Sequence, residues 1–118
     1  MKNLKPIFVE NSKIPVLLSY IAPIVINAIA LFPFVFCRTT ISENTKTHET
    51  IHFQQQLETL VLGFYIIYLW DYARARLRGI KGKDAYYLIR AEKEAYINES
   101  FPEYLSSRKR WNWLRRIN

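Results

Sequence analysis

The stretch His48-Glu49-Thr50-Ile51-His52-Phe53-Gln54-Gln55-Gln56 places two histidines four residues apart with a glutamate beside the first. On a helix, positions i and i+4 lie one turn apart, so both imidazoles face the same way. Two nitrogens on one helical face suit a tetrahedral zinc ion. Glu49 projects to the side of the first histidine, where its carboxylate reaches a water rather than the metal. This is the logic of H-E-x-x-H: two ligands and a general base. His48 and His52 are the only histidines in the chain. The plain structural alternative is the polar face of an ordinary helix.

The polar run Ser42–Thr47 precedes this stretch, and Thr45 or Thr47 is expected to cap a helix. That helix is expected to run over residues 45–78, with a bend at Gly63. Its part from Leu60 to Trp70 is apolar all round, which suits either a central core helix or a helix in lipid. The run is short for spanning a bilayer, so the core reading is preferred. Tyr65, Tyr68, Trp70 and Tyr72, followed by Arg74, Arg76 and Arg78, also have the composition of an interfacial anchor.

A catalytic zinc needs a third protein ligand, and with no further histidine a carboxylate is the natural source. Gly79 and Gly82 mark a turn, and Asp84 is placed to cap a helix over 84–99. On that helix Ala85, Leu88, Ile89, Ala95 and Tyr96 share a face, with Glu92 in its middle. A lone carboxylate on an apolar stripe is costly unless a cation pairs with it, and zinc would do so. A buried arginine would serve equally. Glu94 lies on another side, one turn from Arg90, where a surface ion pair suffices. Glu92 is therefore the expected third ligand and Glu94 the runner-up.

These residues resemble the glutamate-zincin metallopeptidases, in which HEXXH is followed by an E-x-x-A/S-D motif whose Glu is the third ligand. Glu92 and Ala95 match its first and fourth positions. Tyr96 stands where the family usually carries an Asp that supports a zinc-binding histidine. The continuation to Gln55-Gln56 and the run Glu92-Lys93-Glu94-Ala95 also look like a set of small bacterial HEXXH proteins. In these a short β segment precedes the HEXXH helix and a later helix carries E-x-E-A. The resemblance implies one zinc ion held by His48, His52 and Glu92, with Glu49 as base, and a peptide or protein substrate.

With 118 residues the chain is expected to form one domain. Half its residues are hydrophobic and 15% aromatic, which excludes a disordered composition. The single Cys37 excludes an intrachain disulfide and a cysteine-type zinc site, and suits the cytoplasm. Residues 1–23 read as an N-terminal extension. Within the apolar stretch Ile14–Cys37, prolines 15, 23 and 33 oppose one membrane-spanning helix. A signal peptide cleaved after Ala28-Ile29-Ala30, with Lys2, Lys5 and Lys13 leading, ranks below short strands at Ile24–Ile26 and Phe34–Phe36 over residues 24–37.

Ser100-Phe101-Pro102-Glu103 reads as a capping box opening a basic C-terminal helix over 102–118. Tyr104, Leu105, Trp111, Leu114 and Ile117 would form its apolar stripe. Seventeen Lys and Arg against ten Asp and Glu give a formal charge of +7. Arg108, Lys109, Arg110, Arg115 and Arg116 in the last fourteen residues suit a solvated helix face first, and an anionic membrane surface second. Nucleic acid ranks lower, since no recognised motif frames the charges. The expected fold class is α+β: short N-terminal strands, then a mainly helical zincin-like minimal domain.

Overall fold

A computed structural model describes residues 5–115. Lys2, Arg116 and Ile117 lie outside the described residues. The fold is α+β, with a three-stranded sheet ahead of a helical body. Strand β1 (Ile7–Val9) is followed by helix α1 (Ile14–Ser19), then by β2 (Ala28–Leu31) and β3 (Phe34–Cys37). β2 and β3 pair antiparallel across a turn at Phe32-Pro33, whose peptide bond is cis. β1 pairs parallel with β3, which gives the order β1-β3-β2.

The apolar stretch is thus not one helix: after α1 it carries two short strands within residues 24–37. Pro15 is accommodated at the start of α1, where its missing N–H leaves no bond unmade. Ile24–Ile26 lie outside the sheet, which takes Ala28–Leu31 instead, while the second strand falls where expected. The N-terminal extension contributes the edge strand β1. Val35 and Cys37 alternate inward on the central strand, against Ala30, Phe8 and Ile41. Among the described residues, no helix is long and apolar enough to cross a membrane.

Helix α2 (Glu43–Glu58) carries the HEXXH stretch. Its cap is Ser42 rather than either threonine: the Ser42 side chain accepts from the Thr45 N–H at 3.2 Å. The helix does not continue to Arg78. It stops at Leu60 and Val61, which take φ of 56° and 65°. Such angles cost about 1–3 kcal/mol each in residues other than glycine. Val61 N–H donates to Gln56 O, which closes the helix end. Gly63 is not the bend; it lies inside α3 (Leu62–Leu77), where a Cβ would come within 3.1 Å of Thr59 Cβ. Its role is to admit that close approach.

The break has a functional consequence. In one continuous helix, Tyr68 would lie about 24 Å along the axis from His52. The reversal instead returns α3 across α2, so that Phe64 packs edge-on against the His52 ring. Tyr65 Oη donates to Ala30 O at 2.9 Å and Gln56 Nε2 donates to the same carbonyl at 3.0 Å, fastening both helices to the edge of β2.

The expected helix over 84–99 is also two: α4 (Gly82–Leu88) and α5 (Arg90–Asn98), parted at the extended, buried Ile89. Asp84 lies in the first turn of α4 and makes no cap bond there. Asp71 of α3 receives the Arg90 N–H at 3.1 Å and clamps its guanidinium at 2.9 and 3.0 Å. Its carboxylate thereby satisfies the start of α5, where negative charge is favoured.

The C-terminal helix is reduced to one turn, α6 (Tyr104–Ser107), and a closing 3-10 turn over Asn112–Arg115. Arg108 and Trp113 are both buried. On a helix they would point about 140° apart, so a continuous helix could not bury both. Arg108 is extended, and Trp111 at φ 59° turns the chain inward. Trp113 then fills the main core with Phe64, Ile89 and Ala91. The expected solvated basic face therefore does not form around Arg108.

Candidate metal centre

α2 supplies His48, Glu49 and His52, and α5, its main packing partner, supplies Glu92. All four are buried. Glu92 Oε1 lies 3.0 Å from His48 Nε2 and 3.0 Å from His52 Nε2, and the two Nε2 atoms are 3.2 Å apart. The helical spacing of the histidines and the apolar setting of Glu92 thus converge on one point.

The opposite edge of each ring fixes what that point is. His52 Nδ1 is 2.8 Å from Gln55 Oε1. The Gln55 amide cannot be turned round, because its Nε2 donates to Ala91 O at 3.1 Å and to Glu94 Oε1 at 2.9 Å. His52 Nδ1 must therefore be the donor. His48 Nδ1 is 2.8 Å from Glu99 Oε1, and a carboxylate has only lone pairs to offer. With both Nδ1 atoms protonated, both Nε2 atoms present lone pairs to Glu92 Oε1. None of the three short contacts is a hydrogen bond unless an additional proton enters.

Glu92 Oε2 is held by a short hydrogen bond donated by Tyr68 Oη of α3. Each of the three converging groups thus has its far side fixed by a neighbour, an arrangement that sets ligand orientation in metal sites. Sequence reasoning missed Glu99 and Tyr68. Glu99 was within reach of it, since it follows Glu92 by two helical turns on the same side. The Tyr96 ring lies edge-on to His48 at 4.4 Å, and its hydroxyl bonds to Tyr86 Oη at 2.9 Å. The carboxylate support for His48 therefore comes from Glu99, not from the position of Tyr96.

Charge follows this geometry. Burial works to lower the His52 pKa, but Glu92 outweighs it and holds the ring up to about 9. His48 moves upward too, against its own burial, through its bond to Glu92. Burial pushes Glu92 up, yet the two imidazoles bring it well below the usual carboxylate range. The cluster is built to hold positive charge between these three groups. Burial pushes Glu49 up, against the pull of His52 and His48.

Zinc bonds of about 2.0–2.1 Å at tetrahedral angles separate neighbouring ligand atoms by about 3.3 Å. The three distances here fit such a set. Ligand-type atoms of His48, Glu49 and His52 also lie within 4.8 Å of one another, which makes Glu49 a rival third ligand. Its Oε2 is 3.8 Å from His48 Nε2, farther than Glu92. The shorter contacts to both rings favour Glu92 as ligand and leave Glu49 beside the set.

The runner-up Glu94 is elsewhere. It does not pair with Arg90 at the surface; it is fully buried and bound by Arg108, Tyr104 and Gln55. Two residues on a helix point about 200° apart, so Glu92 and Glu94 serve opposite sides of α5. Comparison with protein-family models, with curated proteins and with solved structures gives no match to this chain.

Proposed function

We propose that this chain is a zinc-dependent hydrolase of the HEXXH type acting on amide bonds, with His48, His52 and Glu92 as ligands and Glu49 as general base. The observation that carries this reading is the meeting of three lone-pair atoms at 3.0, 3.0 and 3.2 Å, with both ring N–H groups committed elsewhere. Three buried acceptors facing one another repel unless a cation joins them.

Zinc at this point would supply Lewis acidity, acidifying water toward neutral pH and polarising a carbonyl. Glu49 takes the proton of the attacking water on its carboxylate and returns it to the leaving nitrogen. Its upward-shifted pKa moves it toward the range in which a carboxylate both accepts and releases a proton near neutrality. Gln55 and Glu99 keep the two Nε2 atoms directed inward, and Tyr68 fixes which oxygen of Glu92 faces them. Tyr86 and Tyr96 bring hydroxyls near the site and are candidates to steady a developing oxyanion.

A structural zinc is the second reading, supported by the near-complete burial of all four residues. In that role the ion ties α2 to α5 in a small domain. Glu49 separates the two, since a closed structural site has no use for it.

Metal content and peptide hydrolysis are measured together for the wild type, His52→Ala, Glu92→Ala and Glu49→Gln. The expected result is about one zinc per chain in the wild type and in Glu49→Gln, and loss from the other two. Hydrolysis should fall by about 10²–10⁴-fold in Glu49→Gln. A wild type that takes up no zinc on titration overturns the site. Unchanged hydrolysis in a zinc-loaded Glu49→Gln overturns the catalytic reading.

A further inference from the structure

The helix that brings Tyr68 to the candidate metal centre has a second face with no partner among the described residues. Along α3, Leu62, Ile66, Leu69, Trp70 and Leu77 are each 58–85% exposed. Together with exposed Ala73 they fall within an arc of about 100° on the helix. Phe64, Asp71 and Ala75 occupy the opposite side and face the core. A helix apolar on its inner side and again on its outer side is the signature of an element that contacts a second apolar phase.

The rim of this outer stripe is basic. Arg74 borders one edge and Arg76 the other, both exposed, with exposed Arg78 beyond them. The one acidic residue of α3, Asp71, is buried and clamped to Arg90. A further exposed apolar segment lies alongside. Pro23 Cβ, Tyr72 Oη and Arg76 Nη1 all approach one point beside Gly82, within 3.4 Å of it. The loop after α1 therefore runs next to Arg76, and it displays Tyr20 and Ile21.

We infer that this face of α3 is a docking surface for an anionic lipid bilayer, on which the helix lies in the plane of the interface. Charge complementarity selects this occupant. Guanidinium groups on both edges of an apolar stripe meet acidic headgroups while the stripe enters the acyl boundary. A second copy of the chain would bring a formal charge of +7 against +7 and set the same arginine rows against each other. Sixteen residues lie along the surface rather than through it, in keeping with the short length of every described helix. This inference is independent of the zinc reading. Of the C-terminal basic run Arg108 is buried, whereas Arg74 and Arg76 of α3 are both exposed beside the apolar stripe.

The test is flotation of the full chain with phosphatidylcholine vesicles, with and without phosphatidylserine, at low and high salt. Wild type is expected to float with the phosphatidylserine vesicles at low salt and to be released by high salt. Reversing Arg74 and Arg76 together to Glu should weaken binding by at least about fivefold per arginine. The pair Ile66→Asp and Leu69→Asp should abolish it. These side chains are exposed, and far-ultraviolet circular dichroism checks that the variants fold. Brominated lipid should quench a fraction of the tryptophan emission that disappears in Trp70→Phe. Absence of flotation at low salt overturns the inference, as does flotation that survives Ile66→Asp and Leu69→Asp. Lipid-free dimerisation abolished by that same pair would assign the face to a second copy and overturn it equally.

Discussion

Two buried polar clusters stand on opposite sides of α5, and they differ in where their cation comes from. Glu94 faces Arg108, and the guanidinium there is fully used. Its Nε and Nη2 donate to Glu94, its Nη1 and Nη2 to Glu58, and its Nη1 also to Gln54. Five contacts match the five N–H donors of an arginine. Tyr104 and Gln55 complete Glu94, and Trp113 Nε1 completes Glu58. Glu92 faces two imidazoles instead, and in the metal-free state the positive charge at that point is a proton that His52 holds up to about 9. One cluster is closed by an arginine, whereas the other is joined by a removable proton, whose place the proposed zinc would take. A buried carboxylate alone therefore does not mark a metal site; the zinc proposal rests on the imidazole nitrogens that share the point with Glu92.

The contrast breaks most sharply at Arg108. Arg108→Ala strands two buried carboxylates and should destabilise the fold by about 3–5 kcal/mol, measured by urea unfolding. That is a large share of the about 5–15 kcal/mol typical of a small domain. A change below about 1 kcal/mol would show the cluster to be hydrated and not the closed network described.

Zinc removal is next in size. At a hundredfold excess of zinc over Kd the ion should add about 2.7 kcal/mol, read as a rise in Tm that chelation reverses. The increment should depend on pH. In the metal-free chain His52 holds its proton up to about 9, against about 6.5 unfolded. A raised folded pKa gives stability that is complete below the unfolded value and is lost as pH climbs through the folded one. Metal-free Tm should thus fall between about pH 6.5 and 9. Metal binding requires the deprotonated ring, so the zinc-induced rise in Tm should widen over the same range. An increment that shrinks as pH rises would remove His52 from the ligand set.

The difference between the clusters was only half legible in the sequence. His48 and His52 announce themselves through a local spacing, and Glu92 through a carboxylate on an apolar stripe. Glu94 was misplaced because its partner is fourteen residues away, while Arg90 stood one turn off and was taken up by Asp71 of another helix. Glycine is the usual marker of a helix break, which makes Gly63 the expected place. The break falls on Leu60 and Val61, whose left-handed angles no local preference would suggest. Burial of Arg108 and Trp113 likewise depends on the assembled core, and a basic run reads as solvated until that core exists. β1 is three residues long and is defined by pairing with β3, not by any pattern of its own.

Gln55 touches both clusters, and it sharpens the comparison. Gln55→Leu removes the acceptor that keeps His52 protonated at Nδ1 and a donor to Glu94. Zinc affinity should fall about 10–100-fold by competition with a chelating dye. Stability should fall less than in Arg108→Ala, because Glu94 keeps Arg108 and Tyr104. A Gln55→Leu protein with wild-type zinc affinity would mean that His52 is oriented by packing alone.

The smallest effect belongs to Glu99, and it tests how the two ligands differ. Glu99 supports His48 as Gln55 supports His52, but its side chain is 28% exposed, whereas Gln55 is fully buried. Water can take the place of its carboxylate at His48 Nδ1, so the ring keeps an acceptor after substitution. Glu99→Gln preserves an oxygen that can accept the same bond while removing its charge. The loss in zinc affinity should stay below tenfold and shrink with added salt, which screens a partly exposed charge and barely affects a buried one. In Gln55→Leu the loss should be insensitive to salt. Equal salt dependence in the two variants would place both supports in the same environment and undo the distinction between the partly exposed support of His48 and the enclosed support of His52. The outcome also bears on catalysis, because the ligand beside the exposed support is the one adjoining Glu49, at 3.8 Å. On the hydrolase proposal a substrate would enter beside Glu99, the partly exposed support of His48.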